Sequence, residues 1–333
     1  MKIVVDGMGG DNAPFVTVQG AVEAVKEYDL SVILTGDAHR IEQELLRYTY
    51  PKEKIEIVHA SEIIEMDESP AVSVRRKKDS SINVGVSLVK EKKADAFVSA
   101  GNTGAVVCAT MLMLGILKGI ERPAIAVIMP NLTGVSLLID VGANIDPKPT
   151  HLYQYAVMGA IYVEHILNKT RPKVGLLNIG EEETKGTDFL KECYRLLQSA
   201  ELNFIGNVEG RDIFTGKSDV IVCDGVIGNV VLKVSESLAE TISTLLKKEL
   251  KKNLITTVGA LLTIPAFKTL RKKIDYSEYG GAPLLGIDGI CIISHGRSSS
   301  KAIKNAIRVA SEFVSHRINE KITEAVSHPP ITR

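Results

Sequence analysis

Six times along this chain a short apolar run stops at a Gly-containing polar loop, and a helix-like pattern follows the loop. The first three runs end at Val5, Val98 and Ile139. They lead into Asp6-Gly-Met-Gly-Gly-Asp11, Ser99-Ala-Gly-Asn-Thr-Gly104 and Asp140-Val-Gly-Ala-Asn144. The other three end at Leu177, Val222 and Ile293, and lead into Asn178-Ile-Gly-Glu181, Cys223-Asp-Gly-Val-Ile-Gly-Asn229 and Ser294-His-Gly-Arg-Ser298. Strands buried on both faces read as continuous apolar runs, and ligands of open α/β sheets collect where such strands end. Loops that open helices present free N–H groups, which attract anions. The pattern predicts an enzyme-like α/β chain whose ligand carries phosphate.

Between these junctions the periodicity fills in the rest. Val18, Ala21, Val22 and Val25, at i, i+3, i+4 and i+7, mark a first helix. Strands are expected over 31–35 and 55–58, with a helix over 41–48 between them. The segment 61–79 reads as polar and irregular. Helices are expected over 81–92, 103–117, 150–167, 187–199, 229–252 and 298–321, and strands over 124–129, 135–139 and 203–205. The helix over 103–117 is apolar almost all round, which predicts a central position or a subunit interface. The absence of a Pro/Ser-rich linker predicts one compact α/β unit with a cleft over 1–326. A loose tail is expected over 327–333.

Composition narrows the field. Forty basic residues balance forty acidic ones in 333, so no global field favours nucleic acid. The start, Met1-Lys-Ile-Val-Val-Asp6, is too soon polar for a signal peptide, and no apolar run reaches membrane-spanning length. Cys108, Cys193, Cys223 and Cys291 show no C-x-x-C spacing, which argues against disulfides and zinc and fits a reducing cytosol. Cys223 and Cys291, which end apolar strands beside candidate loops, are read as small buried hydrophobes.

Nucleotide signatures are weak. Gly7-Met-Gly-Gly10 lacks the third Gly of a dinucleotide fingerprint, because Asn12 stands there, and Gly216-Lys-Ser218 lacks the first Gly of a phosphate-binding loop. The loop Ser99–Gly104 is stronger: Asn102 and Thr103 add donors at a helix start whose dipole favours an anion. Asp140, Asn144, Asp146 and Lys148 share one loop, Asn178 and Lys185 another, and Asp224 with Asn229 a third. Each alone could be turn chemistry; their recurrence at strand ends points to one shared site. His295 alone among the histidines sits at a strand end, with Arg297 beside it.

Together and in order, these loops resemble the PlsX-type phosphate acyltransferases of bacterial phospholipid synthesis. The matching stretches are Asp6-Gly-Met-Gly-Gly-Asp-Asn-Ala-Pro14, Val74-Arg-Arg-Lys-Lys78, Ser99-Ala-Gly-Asn-Thr-Gly104, Leu138-Ile-Asp-Val-Gly-Ala-Asn144 and Lys148-Pro149. They continue with Gly175-Leu-Leu-Asn178, Asn203-Phe-Ile-Gly-Asn-Val-Glu209, Asp224-Gly225, Gly228-Asn229 and Tyr279-Gly-Gly-Ala282. Val226-Ile227 departs from the aromatic-polar pair that the family pattern would place there. The resemblance implies a three-layer αβα fold with a mostly parallel central sheet, related to phosphate acetyltransferases and the isocitrate dehydrogenase group. It also implies transfer of a long-chain acyl group from acyl carrier protein to inorganic phosphate, by a homodimer without metal or organic cofactor. A nicotinamide-dependent hydroxy-acid dehydrogenase and a phosphate-ligand binding protein are the competing readings.

On this basis Asp224, Asn229, Asn102, Thr103 and Lys185 are expected to be catalytic. Ser99, Gly101, Gly104, Asp140, Asn144, Lys148, Asn178, Gly228 and His295 are expected to bind substrate or phosphate. The cationic run Arg75, Arg76, Lys77 and Lys78 is the candidate contact for an acidic carrier protein, or else a solvated turn. A last segment, over 247–273, sets apolar Leu254, Ile255, Val258, Leu261, Leu262 and Phe267 between cations. It suits an element lying in a membrane interface, or packing against a dimer partner, with Pro265 expected to break a helix there. The expected location is cytoplasmic, peripherally on the inner face of the cell membrane, with hand-off of product to a membrane acyltransferase.

Overall fold

The strand β1 (Lys2–Asp6) pairs in parallel with β2 (Ser31–Gly36), and β2 carries β3 (Ile55–His59) on its outer side. On its other side β1 pairs with β4 (Ala96–Ser99). A second parallel group contains β6 (Gly134–Ile139), β9 (Val220–Val222), β7 (Lys173–Leu177) and β8 (Asn203–Val208). Three strands join the groups into one sheet of order β3-β2-β1-β4-β11-β10-β5-β6-β9-β7-β8: β5 (Ala124–Asn131), β10 (Ala282–Leu285) and β11 (Cys291–Ile293). This computed structural model describes residues 1–274 and 278–327, without the side chains of Leu254, 266 and 268–274.

The three central pairings, β11 with β10, β10 with β5 and β5 with β6, are antiparallel. Three reversals make the second group run opposite to the first. The six loops therefore do not leave one edge of the sheet. Those after β1, β4 and β11 leave in one direction, and those after β6, β7 and β9 leave in the other.

Two helical layers cover the sheet. On one face lie α1 (Phe15–Glu27), α2 (Ala38–Leu45), α6 (Pro149–Ile166), α7 (Asp188–Gln198), α10 (Ser300–His316) and α11 (Ile318–Val326). On the other lie α3 (Pro70–Arg76), α4 (Ser81–Lys90), α5 (Thr103–Met113) and the start of α8 (Gly225–Leu250). The alternation of strand side chains feeds both cores: Val5, Val98 and Ile139 face one, Val4, Phe97 and Leu138 the other.

Local chemistry explains where boundaries moved. Asp37 caps α2 by accepting from the Arg40 N–H, so this helix starts three residues before Ile41. Pro70, at a first helical turn, starts α3 inside the segment expected to be irregular. Helix α5 stops at Met113, ahead of Gly115, whose φ of 90° no other residue adopts cheaply. The last helix is two: Arg317 takes a left-handed φ of 51° and separates α10 from α11. A helix α9 (Leu254–Ile274) runs through Pro265, which does not break it as expected. The tail beyond Ser327 lies outside the described residues.

Candidate active site

Buried aspartates at the ends of β1 and β6 build the two loop systems. Asp6 accepts from the Ser99 hydroxyl at 2.7 Å and the Met8 N–H at 3.1 Å, and Ser99 in turn accepts from the Gly101 N–H at 3.0 Å. Burial pushes the Asp6 carboxyl above its usual range, and hydrogen bonds from Ser81, Ser99, Met8 and Gly9 oppose this only in part. Asp140, fully buried, accepts from the N–H groups of Gly142, Ala143 and Asn144, from the Asn144 side chain, and from the Ile125 N–H. Its carboxyl too is pushed up by burial, against the pull of those donors.

These bonds correct several expectations. Ser99 and Asp140 spend their side chains inside the protein and cannot contact substrate directly. Asn102 donates to three carbonyls, of Glu65, Met66 and Glu68, and its oxygen caps the Ala105 N–H, so it holds the turn. Asn144 is used on the Pro123 carbonyl and Asp140, and Asn178 on the Lys185 carbonyl and the Ile179 N–H. The Gly101 N–H is taken by Ser99. Gly228 is needed for close approach, because a β-carbon there would lie 1.9 Å from the Asp140 carbonyl oxygen. Gly104 likewise lies against Pro70. All eight residues shape the loops, and none of their side chains presents a free donor of the kind expected.

What remains exposed is a smaller set. Thr103 is the first residue of α5, and the N–H groups of Thr103 and Gly104 have no partner within the helix. Asp224 caps α8 through one carboxylate oxygen, accepting from Val226 and Ile227 at 3.0 and 2.9 Å. Helix α8 thus begins at Gly225, and Asn229 stands one turn inside it, exposed, 3.7 Å from where a Gly142 β-carbon would be. Lys148 and Lys185 are exposed, and among the described residues neither ammonium has an ion-pair partner. Sequence reasoning missed Arg122, exposed beside the Asn144–Pro123 bond and close enough to Tyr155 to pull its phenol downward against burial and the Asp140 charge. His295 accepts from the Arg297 N–H through Nδ1 and is exposed.

The register brings the two helix starts to one level. β4 ends at Ser99, opposite Ile293, which faces Ala282 at the start of β10. β6 ends at Ile139, opposite Ala126, while β10 ends against Ala124. Followed across β11, β10 and β5, the two strand ends differ by one residue, about 3.4 Å along the strand direction. Helices α5 and α8 pack on the same face of the sheet and point their positive ends inward from opposite directions. Each start by itself can hold an anion and stabilise charge developing beside it. The thiols of Cys223 and Cys291 are fully buried and pushed far up by burial, so they are not nucleophiles. Among the described residues, no group of His, Cys, Asp and Glu is placed to hold a metal.

The run Arg75 to Lys78 divides. Arg75, Arg76 and Lys78 are exposed on and just after α3, whereas Lys77 pairs with Glu68 and donates to the Ile63 carbonyl. Lys77 is therefore a brace for the 63–77 segment and not a surface contact. In α9, Ile255, Val258, Leu261 and Leu262 are 55–85% exposed and Phe267 is half-buried; the side chain of Leu254 lies outside the described residues.

Comparison with known proteins shows the family and the fold. A family described as "Fatty acid synthesis protein" matches residues 1–321. The chain is 55% identical over 327 residues to a phosphate acyltransferase of Alkaliphilus oremlandii, covering 98% of each. It is 54% identical over 329 residues to a phosphate acyltransferase of Dictyoglomus turgidum, again covering 98% of each. Among solved structures, a phosphotransacetylase from Streptococcus pyogenes aligns with a TM-score of 0.62 at 19% identity, covering 98% of this chain and 94% of that one. A 4-hydroxythreonine-4-phosphate dehydrogenase from Klebsiella pneumoniae aligns at 0.55 and 12% identity, covering 94% and 99%. These last two likenesses define the fold and carry no activity with them.

Proposed function

Because the chain belongs to the fatty acid synthesis protein family, which includes the phosphate acyltransferases, we propose that it moves a long-chain acyl group from acyl carrier protein to inorganic phosphate. Acyl transfer to phosphate is the activity of its half-identical relatives, and the chain is an acyltransferase of that kind. The observation that carries the site assignment is the pair of helix starts on one face, with Thr103 at one and Asp224 and Asn229 at the other.

Phosphate is itself the nucleophile. One of its oxygens attacks the thioester carbonyl, forming a C–O bond and a tetrahedral oxyanion; collapse breaks the C–S bond and expels the carrier thiolate. A thiol of ordinary pKa, about 8.5, leaves with little acid assistance. The protein must position the dianion and offer fixed donors to the oxyanion. Thr103, its N–H and that of Gly104 suit the first task, and the exposed Asn229 amide the second. Asp224 orients a donor or takes the proton of hydrogenphosphate, while Lys148, Lys185 and Arg122 supply positive charge.

Arg75, Arg76 and Lys78 fit the acidic carrier, whose encounter they would accelerate. The homodimer is supported by an exposed apolar stripe on α8: Val230, Val234, Leu238, Ile242 and Leu245. No helix among the described residues is long and apolar enough to cross a membrane. The exposed apolar residues of α9 favour reversible seating on the inner face of the membrane, where the acyl phosphate passes to a membrane acyltransferase. Incubation with an acyl carrier protein thioester, with and without phosphate, tests the reaction: free thiol must appear only when phosphate is present.

A further inference from the structure

Helix α5 carries no charged residue, and its two sides are unequally covered. Ala105, Val106, Ala109 and Thr110 are buried against the sheet and its neighbours. Gly104, Val107, Cys108, Met111 and Leu112, at i, i+3, i+4, i+7 and i+8, form a second stripe that stays half-buried or, at Leu112, 58% exposed. A helix with one free face normally places polar residues there. This stripe is apolar along its whole length and begins at the N–H groups assigned to the anion.

We propose that this stripe is the track for the acyl chain of the substrate, running from its carbonyl at Thr103 to beyond Leu112. The inference rests on the acyl-to-phosphate reading and adds where the chain lies. Continuity carries it. A carbonyl attacked by phosphate at the start of α5 must lead its chain away from that point, and the stripe is apolar surface that starts there. From Gly104 to Leu112 the track is about 12 Å long. Its head is walled by α3: Pro70 lies against Gly104, and Arg75 is close enough to Cys108 to act on its thiol electrostatically. Arg75 thereby stands beside the track, on the same helix as the proposed carrier contacts. Val107 and Met111 offer adaptable apolar contact without a fixed shape. Leu112, at the far end, sets which chain lengths gain from the track, since each methylene removed from water is worth roughly fourfold in affinity.

The test compares octylphosphonate with hexadecylphosphonate, whose anionic head and apolar tail need no turnover, by titration calorimetry on the full chain. The wild type is expected to bind the longer probe more tightly. Leu112→Asp and Met111→Asp should each lower that preference by about tenfold or more. Met111→Ala lowers it less and guards against a folding defect. Leu46→Asp, at an 86% exposed site away from the track, should leave the preference intact. An unchanged preference in the stripe variants overturns the proposal. So does a shift from dimer to monomer in sedimentation with the preference unchanged, which would give the stripe to a second copy. Absence of phosphate-dependent thiol release by the wild type would sink the transfer reading alone, because the probe comparison still decides the track.

Discussion

The Ser99 hydroxyl donates a 2.7 Å hydrogen bond to the buried Asp6 carboxylate, joining the ends of two adjacent strands whose residues stand 93 positions apart. The same hydroxyl accepts the Gly101 N–H, so one carboxylate fixes the start of the anion loop three residues before Asn102 caps α5. Ser99→Ala should leave Asp6 buried with one donor fewer, costing about 1–3 kcal/mol in denaturant unfolding. The phosphate Michaelis constant should rise as well, since the loop loses its anchor. Unchanged values of both would remove Ser99 from the site's support.

Thr103→Ala and Asn229→Ala should cut turnover with acyl carrier thioester by about a hundredfold to a thousandfold, the range for loss of one oxyanion donor. Melting temperatures should move little, because both side chains are exposed. Wild-type phosphate dependence in both variants would assign the chemistry elsewhere.

The buried Asp140 gives a pH signature. Its folded pKa lies above the ordinary value of 3.8, so the folded state holds the proton more tightly than the unfolded chain does. The stability linked to this group is fully present below 3.8 and is lost as pH rises through the raised value. Asp140→Asn should remove that loss, so the wild-type stability relative to the variant must fall with rising pH across this window. A difference that is flat with pH would contradict the assignment.

Reversing Arg75 and Lys78 to Glu should raise the Michaelis constant for the carrier-linked substrate, and the effect should shrink with added salt. Lys77→Ala should act differently. It leaves Glu68, which already has one buried oxygen without a partner, as a lone carboxylate, and so lowers stability more than carrier affinity. Equal carrier defects from Lys77 and Arg75 variants would show that the run works as one surface.

Leu261→Glu combined with Leu262→Glu should release the protein from anionic vesicles in sedimentation while leaving an active dimer. Each well-buried large apolar side chain is worth about 1.5–3 kcal/mol and each nearby cation about 1 kcal/mol, which is enough for reversible seating. Loss of the dimer with vesicle binding intact would make α9 a protein interface.

Much of the fold was legible because buried strands and their loops announce themselves through apolar runs and Gly-rich ends. The reversal of strand direction was not. Inserted between β4 and β5, the strands β11 and β10 leave β5 parallel to β4, so the flip comes at the antiparallel β5–β6 pair, whose apolar runs do not state their direction. The site was legible as loops more than as atoms. Asx residues that can bind anions and those that organise turns look alike in sequence, and only their hydrogen-bond partners separate the exposed Asn229 from Asn102, Asn144 and Asn178. Val226 and Ile227 hid the true start of α8, because the capping carboxylate of Asp224 lies five residues before Asn229.

The strands β10 and β11, close to the end of the chain, complete the middle of the sheet between β4 and β5. During synthesis the apolar edge of β4 therefore waits, without its neighbour, until residue 293 has left the ribosome. At ordinary elongation rates that delay is about 10–40 s, long against the microseconds to seconds in which small domains fold. Throughout it, β4 offers an open edge to any other extended chain. Chaperone demand and the yield of truncated products should both track that interval.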